Sequence, residues 1–470
     1  MKRLLKNILS LIVLIVTILT IVQIFKLNVL PNKYLTILLI GEAVLFLLGL
    51  LLYNLKNKFL MVLGIILFII SIIGNIAGYY YLSKINKYID KNFKVETYKV
   101  TTHYYLITSS NNPINSIDEF DKSKTIRYNN NSIAIKAALK KMSGYNLKEI
   151  EYGDYTFYTY KNIATYNGYC ILPEDEYKFI VGSSNELSED MFKIIYEFDV
   201  EEEYEINNEI KDTFNIYVTG YDYSGKHRDY NLIVTVNLKT HKIVLTSIPR
   251  DYYINIPAYK AKDSLTALGT VSSEIPKEAL EELFDIKIDY TVDLYTESLV
   301  KVVDAIGGVE FCSDYDFYTR HDTTLGSYAD KGEKVYVQAG CHTYNGLQTL
   351  AIARERMNVK GGERTRQENC RKIVANIIKK VASTSTIMNY SKIIDSFDGL
   401  YTTNINKDLI SKFAKEFIDH PNFDIIEQQV DGLDGHARNH WNDGDIYTLE
   451  PYMDTVDAAS SKLKEVLNEK

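Results

Sequence analysis

The chain has 470 residues and a formal net charge of −8, room for two or three domains. The charge is unevenly divided: the first 95 residues carry 11 Lys+Arg and 2 Asp+Glu, leaving 42 basic and 59 acidic residues beyond them. That excess of carboxylates excludes a general nucleic-acid surface, which needs a positive footprint.

Three apolar runs open the chain: "LLKNILSLIVLIVTILTIVQIF", "YLTILLIGEAVLFLLGLLLY" and "FLMVLGIILFIISIIGNIAGYYYL". Each approaches the ~20 residues that cross a bilayer. A secretory signal would show one short apolar region and a cleavage site instead. Lys2, Arg3 and Lys6 precede the first run, and Lys56 and Lys58 separate the second from the third. The positive-inside rule puts both groups in the cytoplasm. A multi-pass anchor over residues 1–85 follows, with everything after about residue 85 extracellular.

Residues 97–196 read as a small α/β domain. "YKVTTHYYLITS", "KTIRYN", "LKEIEYG" and "GYCILPE" have strand character. "NSIAIKAALKKMSG" has a helix start at Asn and a stop at Gly, and a further helix fits before "GYCILPE". "EFDVEEEYEINNEIKDTF" reads as a solvated acidic connector.

The third region, 206–470, alternates strands and helices, as in a layered α/β domain. "NIYVTG" is a strand, and "NLIVTVNL" and "IVLTSIPRD" form a hairpin across "KTHK". "PKEALEELFD", "ESLVKVVDAIGG", "NGLQTLAIARER" and "RTRQENCRKIVANIIKKVAS" read as helices, "IDYTVDLY" and "FDIIEQQV" as strands, and "PYMDTVDAASSKLKEVL" as containing a final helix. Ser313 to Val337 reads as a polar excursion. Four cysteines allow three pairings, and none forms C-x-x-C. Cys312–Cys341 is the preferred pair because both flank that excursion, isolated thiols being the alternative. Cys170, in "YCILP", reads as core. His436, His440, Asp443 and Asp445 read as loop polarity in preference to a metal site.

"GYDYSGKH", residues 220–227, has the spacing of a phosphate-binding loop. Such a loop must lead into a helix whose N-terminus meets the phosphates, whereas "NLIVTVNL" is a strand. The hydroxyl ligand is replaced by His227, and Asp222 stands where a phosphate would be repelled. What the loop offers is two carboxylates, Asp222 and Asp229, suited to Mg²⁺ or to Asx turns. Five of the ten arginines beyond residue 95 fall between Arg354 and Arg371. Arg so concentrated in an acidic protein suits a compact anion.

Four segments together, "NIYVTGYDYSGKHRDYNLIVTVN", "IVLTSIPRDYYINIP", "LVKVVDAIGGVEF" and "GLQTLAIARERMNVKGGERTRQEN", resemble the LytR-CpsA-Psr family, strongly over residues 213–385. The spans and the small domain resemble its capsule-type branch. The resemblance implies a mixed sheet with helices on both sides, an apolar lipid groove and an arginine-lined mouth. It implies a phosphotransferase that moves a capsular or teichoic-acid-like glycopolymer from a polyprenyl-pyrophosphate carrier to the muramic acid 6-hydroxyl of peptidoglycan. The partners implied are that lipid-linked glycopolymer, peptidoglycan, the membrane and capsule-assembly proteins.

Carried over residue by residue, Arg250, Arg354, Arg356 and Arg366 converge on the diphosphate. Asp222 and Asp229 hold Mg²⁺ or Mn²⁺, and Asp251 either orients Arg250 or serves as base. Arg228, Lys262, Glu363 and Asn369 contact substrate. The sequence departs from the pattern at His227-Arg228, at Glu363 (Asp in the family), at Cys370 (Gln) and at Ser264 (Lys). The departures at Glu363, Cys370 and Ser264 motivate one alternative, a non-catalytic wall- or polysaccharide-binding protein of the same fold, and a hydrolase of the same lipid, with water replacing the muramic hydroxyl, is another.

Overall fold

A computed structural model of the chain describes residues 2–93, 97–129, 135–150, 156–183, 186–205, 210–222, 227–257, 261–268, 274–322, 333–381, 401–438 and 445–470. It divides into two compact units. The first is built on three helices, α1 (Lys2–Leu27), α2 (Asn32–Asn54) and α3 (Lys58–Asn92). They carry apolar side chains all round, as helices meant for lipid do, and each is long enough to span a bilayer. Asn57 caps α3 by accepting a bond from the Phe59 amide at 2.9 Å. Helices α2 and α3 approach closely at Gly64, where a Cβ would meet the Tyr53 backbone nitrogen at 2.6 Å.

Polar groups also tie these helices together. The Asn75 amide donates to Glu42 Oε2 at 3.2 Å, Thr20 Oγ1 donates to the Asn75 carbonyl at 2.8 Å, and Asn86 donates to Gln23 Oε1 at 3.1 Å. Intramembrane polar side chains pair in this way because lipid offers no alternative partner.

The second unit contains both remaining regions. In the small domain the strands are β1 (Thr97–Ser109), β2 (Thr125–Tyr128), β3 (Asn146–Glu149), β4 (Tyr169–Pro173) and β5 (Phe192–Glu205). The helices are α4 (Ile135–Lys141), α5 (Thr156–Tyr166) and α6 (Glu174–Ser183). The sheet order is β3-β2-β4-β1-β5. The acidic connector expected after residue 196 is instead largely strand. β5 continues to Glu205, which pairs with Thr97. Its run of carboxylates hides the period-2 alternation, and β1 supplies the backbone partners that hold it extended. Residues 206–209 of the connector lie outside the described residues.

The larger sheet is formed by β6 (Thr213–Tyr221), β7 (Arg228–Asn237), β8 (Lys242–Ile248), β11 (Tyr290–Leu294), β16 (Tyr401–Thr403) and β17 (Asp424–Gln429). Between β8 and β11 come a ribbon of β9 (Tyr253–Ile256) and β10 (Ala261–Ser264), then α7 (Glu274–Phe284). The order β16-β11-β6-β7-β8-β17 combines parallel pairs, β6 with β11 and β8 with β17, with antiparallel ones. This is the mixed sheet expected.

Its strands are apolar on both sides. One side contributes Tyr217, Ile233, Val244 and Ile248 to a core with α7 and α12 (Met453–Asn468). A second core gathers residues of α8 (Thr296–Ala305), α9 (Gly346–Arg354) and α10 (Glu363–Val381). Asn345 and Gln348 cap α9 reciprocally, each side chain accepting the other's amide at 3.0 Å. The polar excursion is in part a hairpin, β13 (Phe317–Asp322) with β14 (Lys334–Val337). It is flanked by β12 (Val309–Ser313) and β15 (Gly340–Tyr344), and the expected disulfide joins Cys312 to Cys341 across that pair. Cys170 is fully buried, as expected of core.

Helix α6 was not expected from the sequence, and neither was α11 (Lys407–Asp419). Helix α11 belongs to the first unit. Ser411 Oγ donates to the Leu27 carbonyl at 3.0 Å, Lys407 pairs with Asp90 at 2.5 Å, and Asp419 pairs with Lys33. The end of α1, the start of α2 and the end of α3 therefore lie on one side of the helical unit.

Candidate active site

Parallel strands β6 and β11 and parallel strands β8 and β17 all end at the same edge of the larger sheet, where β7 begins. In open α/β sheets this carboxyl edge is where ligands bind. The sequence places a β-bulge there. Gly220 pairs with Tyr230 and Tyr221 with Arg228, so Asp229 is the extra residue, without a partner in the ladder. A bulge re-aims a side chain, and Asp229 turns to Arg250, whose Nη1 lies 2.5 Å from Asp229 Oδ1.

Arg250 follows β8 in a turn fixed through its backbone. Its carbonyl accepts from the Thr266 amide at 2.8 Å, and the Asp251 carbonyl accepts from Leu449 at 2.7 Å. Asp251 Oδ2 stands 3.5 Å from Arg250 Nε. From α10, Arg366 donates to the Asp229 carbonyl at 2.7 Å and to Glu363 Oε2 at 2.8 Å through its Nε, with a second, closer bond to Glu363 Oε1. Glu363 and Arg366 share a face of the helix because they are three residues apart. Asp229, Arg250, Asp251, Glu363 and Arg366 thus form one network. It holds three carboxylates against two guanidiniums, an excess of one negative charge.

Burial opposes the charge on Arg366, but Glu363 outweighs it and raises the guanidinium's pKa. Burial likewise opposes Arg250, and Asp229 and Asp251 hold it charged. Burial alone would push the Glu363 carboxyl up; Arg366, then Arg250, bring it below the ordinary value. For Asp251 the balance is reversed: burial pushes its carboxyl above the ordinary aspartate value, and Arg250 only partly offsets the shift.

The other expected site residues lie elsewhere. Arg228 does not line the network. Its side chain is 0% exposed, its Nη1 pairs with Asp293 at 3.3 Å, and its guanidinium sits 4.9 Å from the Tyr221 ring centroid. A group sealed in this way cannot touch a substrate. Lys262 is exposed on β10, paired with Glu450 at 2.7 Å. Asn369 is buried on α10. Arg354 ends α9, and Arg356 stands on the turn that follows, both partly exposed. That turn is shaped by Glu355, fully buried, which accepts the Met357 and Asn358 amides at 2.8 Å. It closes through Gly361, whose φ of +88° an L side chain rarely adopts.

The arginine-rich segment therefore divides its labour. Arg364 binds Asp431 at 2.6 Å, and Arg371 binds Ser247 Oγ at 2.9 Å, so both fasten α10 to neighbouring strands and loops. The departures at Glu363 and Cys370 are absorbed structurally. Glu363 grips Arg366, and Cys370 Sγ lies 3.1 Å from the Ala353 carbonyl between α10 and α9. Ser264 Oγ is buried with no hydrogen-bond partner among the described residues. His436 pairs with Asp445 at 3.1 Å, and His440 and Asp443 lie outside the described residues.

Asp222 has its carboxylate on His227, 3.3 Å from the backbone amide and 3.2 Å from Nδ1. Asp222 and Asp229 bracket the same turn and offer hard oxygen donors, the kind Mg²⁺ takes. The charge excess of the network points the same way. The donor chemistry of the two aspartates would suit such an ion, with Asp222 turned to His227 and Asp229 to Arg250.

The family model described as the LytR_cpsA_psr family matches residues 180–465. Among similar proteins are biofilm regulatory protein A of Streptococcus mutans, 28% identical over 207 residues, and the polyisoprenyl-teichoic acid–peptidoglycan teichoic acid transferases TagU of Enterococcus faecalis, 26% over 221, and TagT of Bacillus subtilis, 29% over 212. The matches cover 41%, 45% and 43% of this chain and 50%, 68% and 64% of those proteins, so the chain spans only half to two thirds of their length. Among solved structures, B. subtilis TagV aligns with a TM-score of 0.46 at 23% identity, covering 55% of this chain and 99% of that one. TagT bound to LIIa-WTA aligns at 0.45 and 25%, covering 55% and 92%.

Proposed function

The chain belongs to the LytR-CpsA-Psr family, and on that footing we propose that it is a membrane-anchored phosphotransferase. It moves a glycopolymer, capsular or teichoic-acid-like, from its polyprenyl-pyrophosphate carrier to peptidoglycan through a phosphodiester. The observation that carries this reading is the meeting of Arg250 and Arg366 at Asp229, two guanidiniums held charged at the carboxyl edge of the sheet. The related transferases named for teichoic acid and peptidoglycan supply the substrate class.

Phosphoryl transfer is mainly positioning and electrostatic stabilisation. The muramic acid 6-hydroxyl attacks the phosphorus that bears the glycopolymer. The bond from that phosphorus to the bridging oxygen breaks, and polyprenyl phosphate leaves. Arg250 and Arg366 stabilise the charge gathering on the bridging and non-bridging oxygens. Asp251 takes the hydroxyl proton, a role suited to a carboxyl whose pKa burial has raised above the ordinary aspartate value. Asp222 and Asp229 would hold Mg²⁺ or Mn²⁺, which supplies Lewis-acid charge neutralisation of the diphosphate when bound.

Three crossings leave this unit outside the cell, where its disulfide is compatible with an oxidising environment. Capsule-assembly proteins in the same membrane are its proposed neighbours. The test uses the full chain in lipid nanodiscs with polyprenyl-pyrophosphoryl oligosaccharide, Mg²⁺ and peptidoglycan fragments. Conjugate formation lost on Arg250→Ala and on chelation supports the reading. Conjugate formation unchanged by Arg250→Ala removes it, and free phosphorylated sugar without conjugate assigns a hydrolase instead.

A further inference from the structure

One feature at the same edge is used neither by the phosphotransfer chemistry nor by the core. Tyr295, between β11 and α8, stacks on Tyr221, the last residue of β6, with ring centroids 5.5 Å apart and planes 21° from parallel. Tyr221 in turn covers the guanidinium of buried Arg228, which Asp293 neutralises from within. The four side chains make a column: a sealed ion pair, an aromatic ring on it, and a second ring outermost. Tyr295 is 43% exposed. Its backbone is fixed, since its amide donates to Ser298 Oγ at 3.0 Å in the first turn of α8. The column rises from the same carboxyl edge as the network, its strand residues Tyr221 and Arg228 being the sequence neighbours of Asp222 and Asp229.

A large ring held flat and half in water, next to a transfer centre, has the form of a binding platform. The apolar face of a pyranose carries weakly positive C–H groups that pack on the negative face of an aromatic ring, while its equatorial hydroxyls stay hydrated. A cationic ligand is a poorer match, since a cation already occupies the inner end of the column. A nucleic acid is disfavoured by the chain's net charge of −8. From this arrangement we infer that Tyr295, backed by Tyr221, is a saccharide-stacking subsite that seats a pyranose ring beside the phosphotransfer centre. The inference rests on the reading of that centre as a glycopolymer transferase. The ring belongs either to the donor glycan or to the peptidoglycan acceptor, and the chemistry is the same for both.

The exposed pair Tyr318–Tyr336, with centroids 4.8 Å apart on the β13–β14 hairpin, is an internal control. It is a cross-strand contact of the ordinary sheet type.

The experiment measures binding of two probes to the full chain in nanodiscs. One is a phosphate-free N-acetylglucosaminyl–N-acetylmuramyl disaccharide, and the other is a polyprenyl-pyrophosphoryl disaccharide. Tyr295→Ala and Tyr295→Leu should weaken one probe about five- to tenfold, and the probe affected identifies the source of the ring. Tyr295→Phe should stay within about twofold, because the ring face and not the hydroxyl makes the contact. Tyr318→Ala should change neither probe. The inference is overturned if the parent protein binds neither probe, if Ala and Leu leave both affinities unchanged, or if Phe loses as much as Ala. Arg250→Ala separates this result from the function itself: it should abolish transfer yet leave the phosphate-free disaccharide bound. Transfer surviving Arg250→Ala sinks the enzymatic reading whatever Tyr295 does.

Discussion

Two arginines at the same sheet edge have opposite fates. Arg228 is sealed, with Asp293 on one side and Tyr221 on the other. Arg250, which follows the adjacent strand β8, keeps 22% of its side chain exposed and shares Asp229, Asp251 and Glu363 with Arg366. The sealed pair is balanced, one charge against one, and asks nothing of a ligand. The open network has a carboxylate to spare and two guanidiniums placed to meet an anion. The difference teaches that an arginine's role here is set by exposure and charge balance, not by its adjacency to a motif.

The largest effect should come from breaking the sealed side. Arg228→Ala leaves the buried Asp293 carboxylate without its guanidinium, and breaking a buried ion pair typically costs about 3–5 kcal/mol. Denaturant unfolding of the full chain should register it, while Arg228→Met with Asp293→Leu should recover most of the loss. If Arg228→Ala unfolds normally, the two arginines are not distinct in kind.

Next comes the open side. Arg250→Ala should lower the turnover of conjugate formation by about 10²–10³-fold, with the unfolding midpoint little changed.

A smaller, pH-dependent effect sharpens the comparison from within the network. The Asp251 carboxyl is raised by burial. A rate that needs its carboxylate should therefore climb as pH rises through a value above the ordinary aspartate range and then level off. Asp251→Asn should abolish that limb; an unchanged limb assigns the base elsewhere. Stability should show the opposite sign. The raised pKa favours the folded state at low pH, a contribution lost as pH rises from the unfolded through the folded value. For Glu363, whose folded pKa is lowered, the stabilisation is present above the unfolded value and lost as pH falls through the folded one.

The smallest effect belongs to Glu363→Asp, one methylene shorter. It should weaken the grip on Arg366 and reduce turnover by roughly tenfold or less, about 1 kcal/mol, with the KM for acceptor unchanged.

Much of the fold could be read from periodicity, because the strands of the larger sheet are apolar on both faces and its helices carry clear caps and stops. β5 was hidden because glutamates alternate poorly with glutamates, and its partner strand lies some hundred residues away. The short strand β16 and helix α11 depend on neighbours that no local window contains. At the site, motif position singled out Arg250, Asp251, Glu363 and Arg366, and the structure brings these four side chains together at one edge. The structure buries Arg228 apart from them, because the bulge that separates Arg228 from Asp229 is a property of strand pairing. Tyr295 left no signal in a chain with 38 tyrosines. Glu355 was read only as part of "ARER", yet it organises the turn on which Arg356 stands.

Helix α11 carries a practical consequence. It is encoded more than three hundred residues after the membrane helices but keeps company with them, and Phe417 and Phe423 stack beside it at 4.3 Å. Truncating the chain after α3 to obtain a water-soluble protein would leave Lys407, Ser411 and Asp419 bereft of Asp90, Leu27 and Lys33. A well-behaved secreted version would have to lose residues 405–423 as well, bridging Asn404 to Asp424 with a short flexible linker.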